Sequence, residues 1–117
     1  MSDITIYHNP RCSKSRETLA LLEENGVKPR IVEYLKTPPS AAELRTILAA
    51  LGMKPEQLAR KGEEIYKSGY AGRTLTDAEW ITALTTHPIL IERPIVVKGS
   101  HAVLGRPPDN VLKLLKR

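Results

Sequence analysis

The N-terminal stretch carries the strongest constraint on the fold. Ile4-Thr5-Ile6-Tyr7 is β-branched and aromatic and predicts a strand. His8-Asn9-Pro10-Arg11-Cys12 predicts a loop. Ser13 to Asn25 predicts a helix, with Ser15, Leu19 and Leu22 at i, i+4 and i+7 and Gly26 placed to end it. Ile31-Val32-Glu33-Tyr34-Leu35 predicts a second strand. A crossover of this length joins parallel neighbours through a right-handed connection. The chain therefore opens with a β-α-β unit.

Thr37-Pro38-Pro39 breaks the chain. Ser40 and Glu43 then make a capping-box pattern, followed by Leu44, Ile47, Leu48 and Leu51 on one helical face, with Gly52 at the end. Pro55 opens a short helix running to about Arg60. Lys61 to Arg73 is polar and glycine-bearing and predicts a loop with at most one helical turn. Thr76 and Glu79 repeat the capping box ahead of Trp80, Ile81 and Leu84, and that helix stops before His87-Pro88. Arg93-Pro94-Ile95-Val96-Val97-Lys98 predicts a strand starting at a proline. Gly99-Ser100 is a two-residue turn, and His101-Ala102-Val103-Leu104 returns as a hairpin. Asp109 to Arg117 predicts a closing helix.

This order, β-α-β, a helical insert at about 40–87, then β-β-α, predicts an α/β fold: a thioredoxin-like mixed four-stranded sheet. The whole of 1–117 reads as one domain. A ferredoxin-like α+β sandwich is the alternative, but it gives no reason for the position of Cys12.

Composition narrows the function. No apolar run reaches the roughly 18 to 20 residues of a membrane span, so no membrane partner is expected. Met1-Ser2-Asp3-Ile4-Thr5-Ile6 lacks the basic-then-apolar pattern of a signal peptide, and the expected location is cytoplasmic. Cys12 is the single cysteine, which excludes an internal disulfide and a metal site built from several thiolates. Lys and Arg number 18 against 13 Asp and Glu, a net charge of +5 that attracts anions. The basic residues form no run, Phe is absent, and only one Trp and four Tyr are present. A nucleic-acid binder that stacks bases on aromatic rings is thus unsupported. A small oxyanion is the competing partner.

Cys12 falls where a strand ends and a helix begins. Amide groups of a first helical turn and the helix dipole favour negative charge there. Arg11, Lys14 and Arg16 add positive charge nearby, and such surroundings lower a cysteine pKa. The same amides hold oxyanions. The alternative for Cys12 is a small buried hydrophobe. His8, four residues earlier, is placed to bond the loop or add charge, and Ser15 to donate to the sulfur. Arg60, Arg93 and Arg106 are isolated arginines at element ends, and the planar guanidinium fork suits tetrahedral oxyanions. Arg30, Arg45 and Arg73 read as surface charges.

These residues resemble a known family. Ile4 to Arg16 and His87 to Val97 are similar to the glutaredoxin-coupled arsenate reductases. The resemblance also takes in Tyr34 to Pro39, Leu58 to Lys61 and Leu104 to Pro107. It implies a thioredoxin-like fold and arsenate as substrate, with glutathione as co-substrate, glutaredoxin as partner, and no bound cofactor or metal. It implies that Cys12 attacks arsenate, that His8 helps keep Cys12 ionised, and that Ser15 hydrogen-bonds to it. Arg60, Arg93 and Arg106 take the place of arginines that hold the oxyanion, and Pro94 that of a cis-proline. The loop departs from the best-known members, which have a small neutral residue before the cysteine and Gly-Thr-Ser after it. Cys12-Ser13-Lys14-Ser15 instead resembles chromosomal paralogues. Related redox-sensing regulators carry Cys-x-x-Cys, and Ser15 at the second position argues against such a switch. Two further readings stay open: a glutathione-dependent thiol reductase of another substrate, and a non-enzymatic regulatory or binding protein.

Overall fold

The computed structural model describes residues 4–116. Met1, Ser2, Asp3 and Arg117, the last residue of the expected closing helix, lie outside the described residues. In chain order the elements are β1 (Ile4–His8), α1 (Ser13–Glu24), β2 (Arg30–Glu33), α2 (Ala41–Leu51), α3 (Pro55–Leu58), α4 (Glu64–Gly69), α5 (Asp77–Thr86), a 3-10 turn (Pro88–Leu90), β3 (Ile95–Lys98), β4 (His101–Leu104) and α6 (Asn110–Leu115). They gather into two compact units, one from Met1–Thr37 with Arg93–Arg117 and one from Pro38–Glu92. The expected insert lies within the second.

The first unit carries a mixed four-stranded sheet in the order β2-β1-β3-β4. β1 pairs with β2 in parallel, with Ile6 opposite Ile31, as the crossover predicts. β1 pairs with β3 antiparallel, with Ile6 opposite Val96, and β3 with β4 antiparallel, with Lys98 opposite His101 at the hairpin turn. Alternation sends Ile4, Ile6 and His8 to the buried face of β1. Ile4, Ile6 and Val96 meet Leu22 of α1 and Val111 and Leu114 of α6 in one core. Burying a side chain such as Leu22, which is fully covered, contributes about 1.5–3 kcal/mol.

β2 ends earlier than the apolar run predicts. The N–H groups of Lys36 and Thr37 both donate to the Glu33 carbonyl, at 2.9 and 3.0 Å, so the chain turns out of the sheet before Leu35. β3 starts at Ile95, immediately after the Arg93–Pro94 bond, which is cis.

The second unit is helical. Both capping boxes form: Ser40 with Glu43 ahead of α2, and Thr76 with Glu79 ahead of α5. Each supplies partners for amides that the first turn leaves open. Gly52 closes α2 at φ 69°, a conformation that glycine adopts without a Cβ penalty. Leu44, Ile47 and Leu48 of α2, Leu58 of α3, and Trp80, Ile81 and Leu84 of α5 are buried, with Leu90 and Ile91 following. α4 occupies the stretch expected to be mostly loop. Its Tyr66 stacks on Trp80 with ring centroids 6.2 Å apart, and Tyr70 lies at 5.8 Å, so packing on an aromatic neighbour overrides a polar composition. Among the described residues no helix is long and apolar enough to cross a membrane.

Candidate active site

The strand period decides where the site begins. His8 ends β1 on the buried face and thereby reaches the first turn of α1. Its Nδ1 lies 2.6 Å from the hydroxyl of Ser15, which is fully buried. The Asn9 N–H also donates to that hydroxyl, at 3.0 Å. The Ser15 hydroxyl thus ties the His8 ring to the Asn9 backbone, and the direction of the His8–Ser15 bond follows the histidine tautomer. Burial holds the His8 pKa below its ordinary value; Glu33 opposes that shift and Arg16 adds to it.

The loop between His8 and α1 is a hydrogen-bonded turn. Cys12 N–H donates to the Asn9 carbonyl at 3.0 Å, with Asn9 first and Pro10 second in the turn, positions these residues favour. The Asn9 side-chain oxygen accepts the Arg11 N–H at 3.0 Å. Asn9 thus shapes the loop through three bonds. The sequence signal for it is the Asn-Pro pair, a turn initiator.

Cys12 follows as the residue that caps α1, with φ −95° and ψ 123°. α2 and α5 start with Ser or Thr caps and acidic first turns, whereas the first turn of α1 has no acidic residue to offset its positive end. Cys12 is partly exposed, so it is not a core hydrophobe. Burial pushes its thiol up. The Ser15 amide, the Arg93 guanidinium and the Lys14 amide together outweigh that and hold the pKa below its ordinary value. The amides act on the sulfur without closing a hydrogen bond of capping geometry.

The far end of the chain supplies the cations. The Arg93 guanidinium favours the ionised Cys12 sulfur by hydrogen bonding and by its charge, and Arg93 precedes the cis bond to Pro94. Arg106, after the hairpin, places Nη1 4.0 Å from Cys12 Sγ and 3.2 Å from the Arg93 carbonyl. Cys12, His8, Ser15, Arg93 and Arg106 thus come together in the first unit. The Ser15 hydroxyl, implied as a partner of the sulfur, instead bonds His8 and Asn9, and it is the Ser15 amide that acts on Cys12.

Arg60 belongs to the second unit. An isolated bridge between Ala59 and Ile91 brings it beside Glu92. Its guanidinium pairs with Glu63 at 3.0 Å and with Glu92 at 3.4 Å. Among the described residues no group of three His, Cys, Asp or Glu side chains is arranged to hold a metal ion.

A strand-turn-helix that presents one cysteine at a helix N-terminus, with a cis-proline following Arg93 on a mixed sheet, defines a thioredoxin-like protein with a single-cysteine centre. The chain belongs to the ArsC family, whose model matches residues 7–114. It is 48% identical over 114 residues to an arsenate reductase of Haemophilus influenzae, covering 96% of this chain and 98% of that one. It is 51% identical over 114 residues to the Escherichia coli K12 protein YfgD, described as uncharacterized, covering 96% of each. The solved structure of an arsenate reductase from Vibrio cholerae superposes with a TM-score of 0.91 at 48% identity, covering 94% of this chain and 95% of that one.

Proposed function

We propose that this chain reduces arsenate with Cys12 as nucleophile. The Cys12 thiolate attacks arsenic, a sulfur–arsenic bond forms, and one arsenate oxygen leaves as hydroxide, protonated by solvent. Reduction of As(V) to As(III) needs two electrons, and one cysteine cannot yield a disulfide by itself. Two external thiols supply them. A glutathione thiol attacks the arsenic of the arsenylated cysteine, and a second arsenate oxygen leaves as water, taking up the thiol proton. A glutaredoxin thiol then attacks the glutathione sulfur, the two leave as a mixed disulfide, and the electron pair of the broken sulfur–arsenic bond reduces As(V) to As(III). Water then displaces the Cys12 thiolate from arsenic and arsenite is released. Arg93 and Arg106 hold the oxyanion and neutralise charge as the bond forms, and His8 acts through Ser15 on the loop that carries the sulfur. This is covalent nucleophilic catalysis with electrostatic stabilisation, and glutathione enters as co-substrate with no resident cofactor or metal. The reductants place the reaction in a reducing compartment, the cytoplasm.

The observation that supports this reading best is the convergence of Arg93, Arg106 and the α1 amides on one partly exposed sulfur of lowered pKa. The names of the relatives point the same way. The test is arsenite release from arsenate with glutathione and glutaredoxin, each omitted in turn. Release that needs both is expected. No arsenite with both present overturns the reading, and reduction of a glutathione mixed disulfide by the same protein would favour the thiol-reductase alternative.

A further inference from the structure

Arg106 lies in an exposed segment, yet its backbone is bound on both sides by groups that take no part in the proposed chemistry. Before it, the Gly105 N–H donates to the Pro94 carbonyl at 2.9 Å. The Gly105 carbonyl lies 3.3 Å from the hydroxyl of Thr18, a fully buried residue on α1 that also donates to the Lys14 carbonyl at 2.8 Å. Gly105 has no room for a side chain: a Cβ there would stand 2.5 Å from Thr18 Oγ1 and 2.8 Å from Pro94 Cγ. After it, the Asn110 side-chain amide donates to the Leu104 carbonyl at 2.9 Å and to the Arg106 carbonyl at 3.3 Å. One amide thus straddles Gly105 and Arg106.

We infer that Gly105, Thr18 and Asn110 form a positioning clamp that presses the end of the hairpin onto α1 and Pro94 and so aims the Arg106 guanidinium at the Cys12 sulfur. An arginine side chain has many rotamers, and holding it in one arrangement opposes its conformational entropy. Fixing the backbone on both sides reduces the number of arrangements its head can sample. The close seat of Gly105 sets the distance and Asn110 sets the direction in which the chain leaves. Asn110 has a second use, because it stands at the start of α6 and ties that helix to the same turn.

The clamp deepens the proposed anion site and rests on that reading, but its test does not need arsenate turnover. Iodoacetate carries a negative charge and iodoacetamide does not. Each alkylates Cys12, the sulfur displacing iodide; an arginine's effect on the sulfur itself is common to both reagents, and its attraction for the reagent's charge speeds iodoacetate over iodoacetamide. Arg106→Ala should lower the iodoacetate-to-iodoacetamide rate ratio by about 3- to 10-fold, a part of the worth of a charge-assisted hydrogen bond. Asn110→Ala and Thr18→Val should lower it in the same direction, and Thr18→Ser should retain it. Asn110→Ala added to Arg106→Ala should change nothing further, because both act through one group. Circular dichroism checks folding, and Thr18→Ser and Asn110→Ala keep the test open if Thr18→Val does not fold. A general structural loosening moves both reagents together and leaves the ratio alone. An unchanged ratio in folded Asn110→Ala, or additive losses in the double variant, overturns the clamp. A lowered ratio in a protein that releases no arsenite retains the clamp and overturns the arsenate reading only.

Discussion

Replacing Ser15 by Ala tests how the loop before α1 is held. The hydroxyl is fully buried and serves two buried partners, His8 Nδ1 at 2.6 Å and the Asn9 N–H at 3.0 Å. Ala fills nearly the same space, so the loss is one of hydrogen bonding and not of packing. A buried polar group left without a partner costs about 1–3 kcal/mol. Two are left here, but Asn9 and His8 are slightly exposed and recover part through water. A destabilisation of about 2–4 kcal/mol is expected. Urea unfolding reads it as a lower midpoint at constant slope. His8→Ala should cost a comparable amount, and the double variant should cost less than the sum by about 1 kcal/mol or more, because both singles break the same bond. A Ser15→Ala midpoint within about 0.5 kcal/mol of wild type, or full additivity with His8→Ala, would refute the reasoning.

The remaining expectations concern charge. The pH dependence of Cys12 alkylation by iodoacetamide should give a pKa below the ordinary cysteine value, and Arg93→Ala should move it up. Arg93→Ala and Arg106→Ala should each lower kcat/KM for arsenate by about 10- to 150-fold, the worth of a charge-assisted hydrogen bond, while the exposed Arg30→Ala and Arg45→Ala stay near wild type at one ionic strength. His8 has a folded pKa held below its unfolded reference of 6.5, so the stability it supports is whole above pH 6.5 and is lost as the pH falls below it. Unfolding at stepped pH should therefore show a smaller acid loss in His8→Gln than in wild type.

Much of the first unit is legible in the sequence because its periods are strong. The alternation of Ile4, Ile6 and His8 and the valines of β3 each admit one register with an apolar face inward. The capping boxes at Ser40 and Thr76 are local chemistry and need no tertiary knowledge. α4 was not legible as a helix because Tyr66 finds its reason only in Trp80, on another element. The end of β2 was hidden because Tyr34 and Leu35 continue an apolar run while the Glu33 carbonyl turns the backbone.

In the site, the strand-to-helix position of Cys12 follows from residue order, and Arg93 and Arg106 could be singled out beside prolines. The parts that hold them could not. Thr18 reads as an ordinary helical threonine until Gly105, 87 positions away, is seen to lie against it. Arg60 shows the converse. Its sequence neighbours do not disclose that Glu92 returns beside it and gives it a second carboxylate partner.

The proposed attack by Cys12 is tested most directly by arsenite release in Cys12→Ser beside wild type, with arsenate, glutathione and glutaredoxin present. Serine has nearly the same shape and is a far weaker nucleophile at neutral pH, so the variant should fold as wild type and release arsenite only at the rate of the protein-free control. Release above that control by the folded variant would contradict the role of Cys12 as nucleophile.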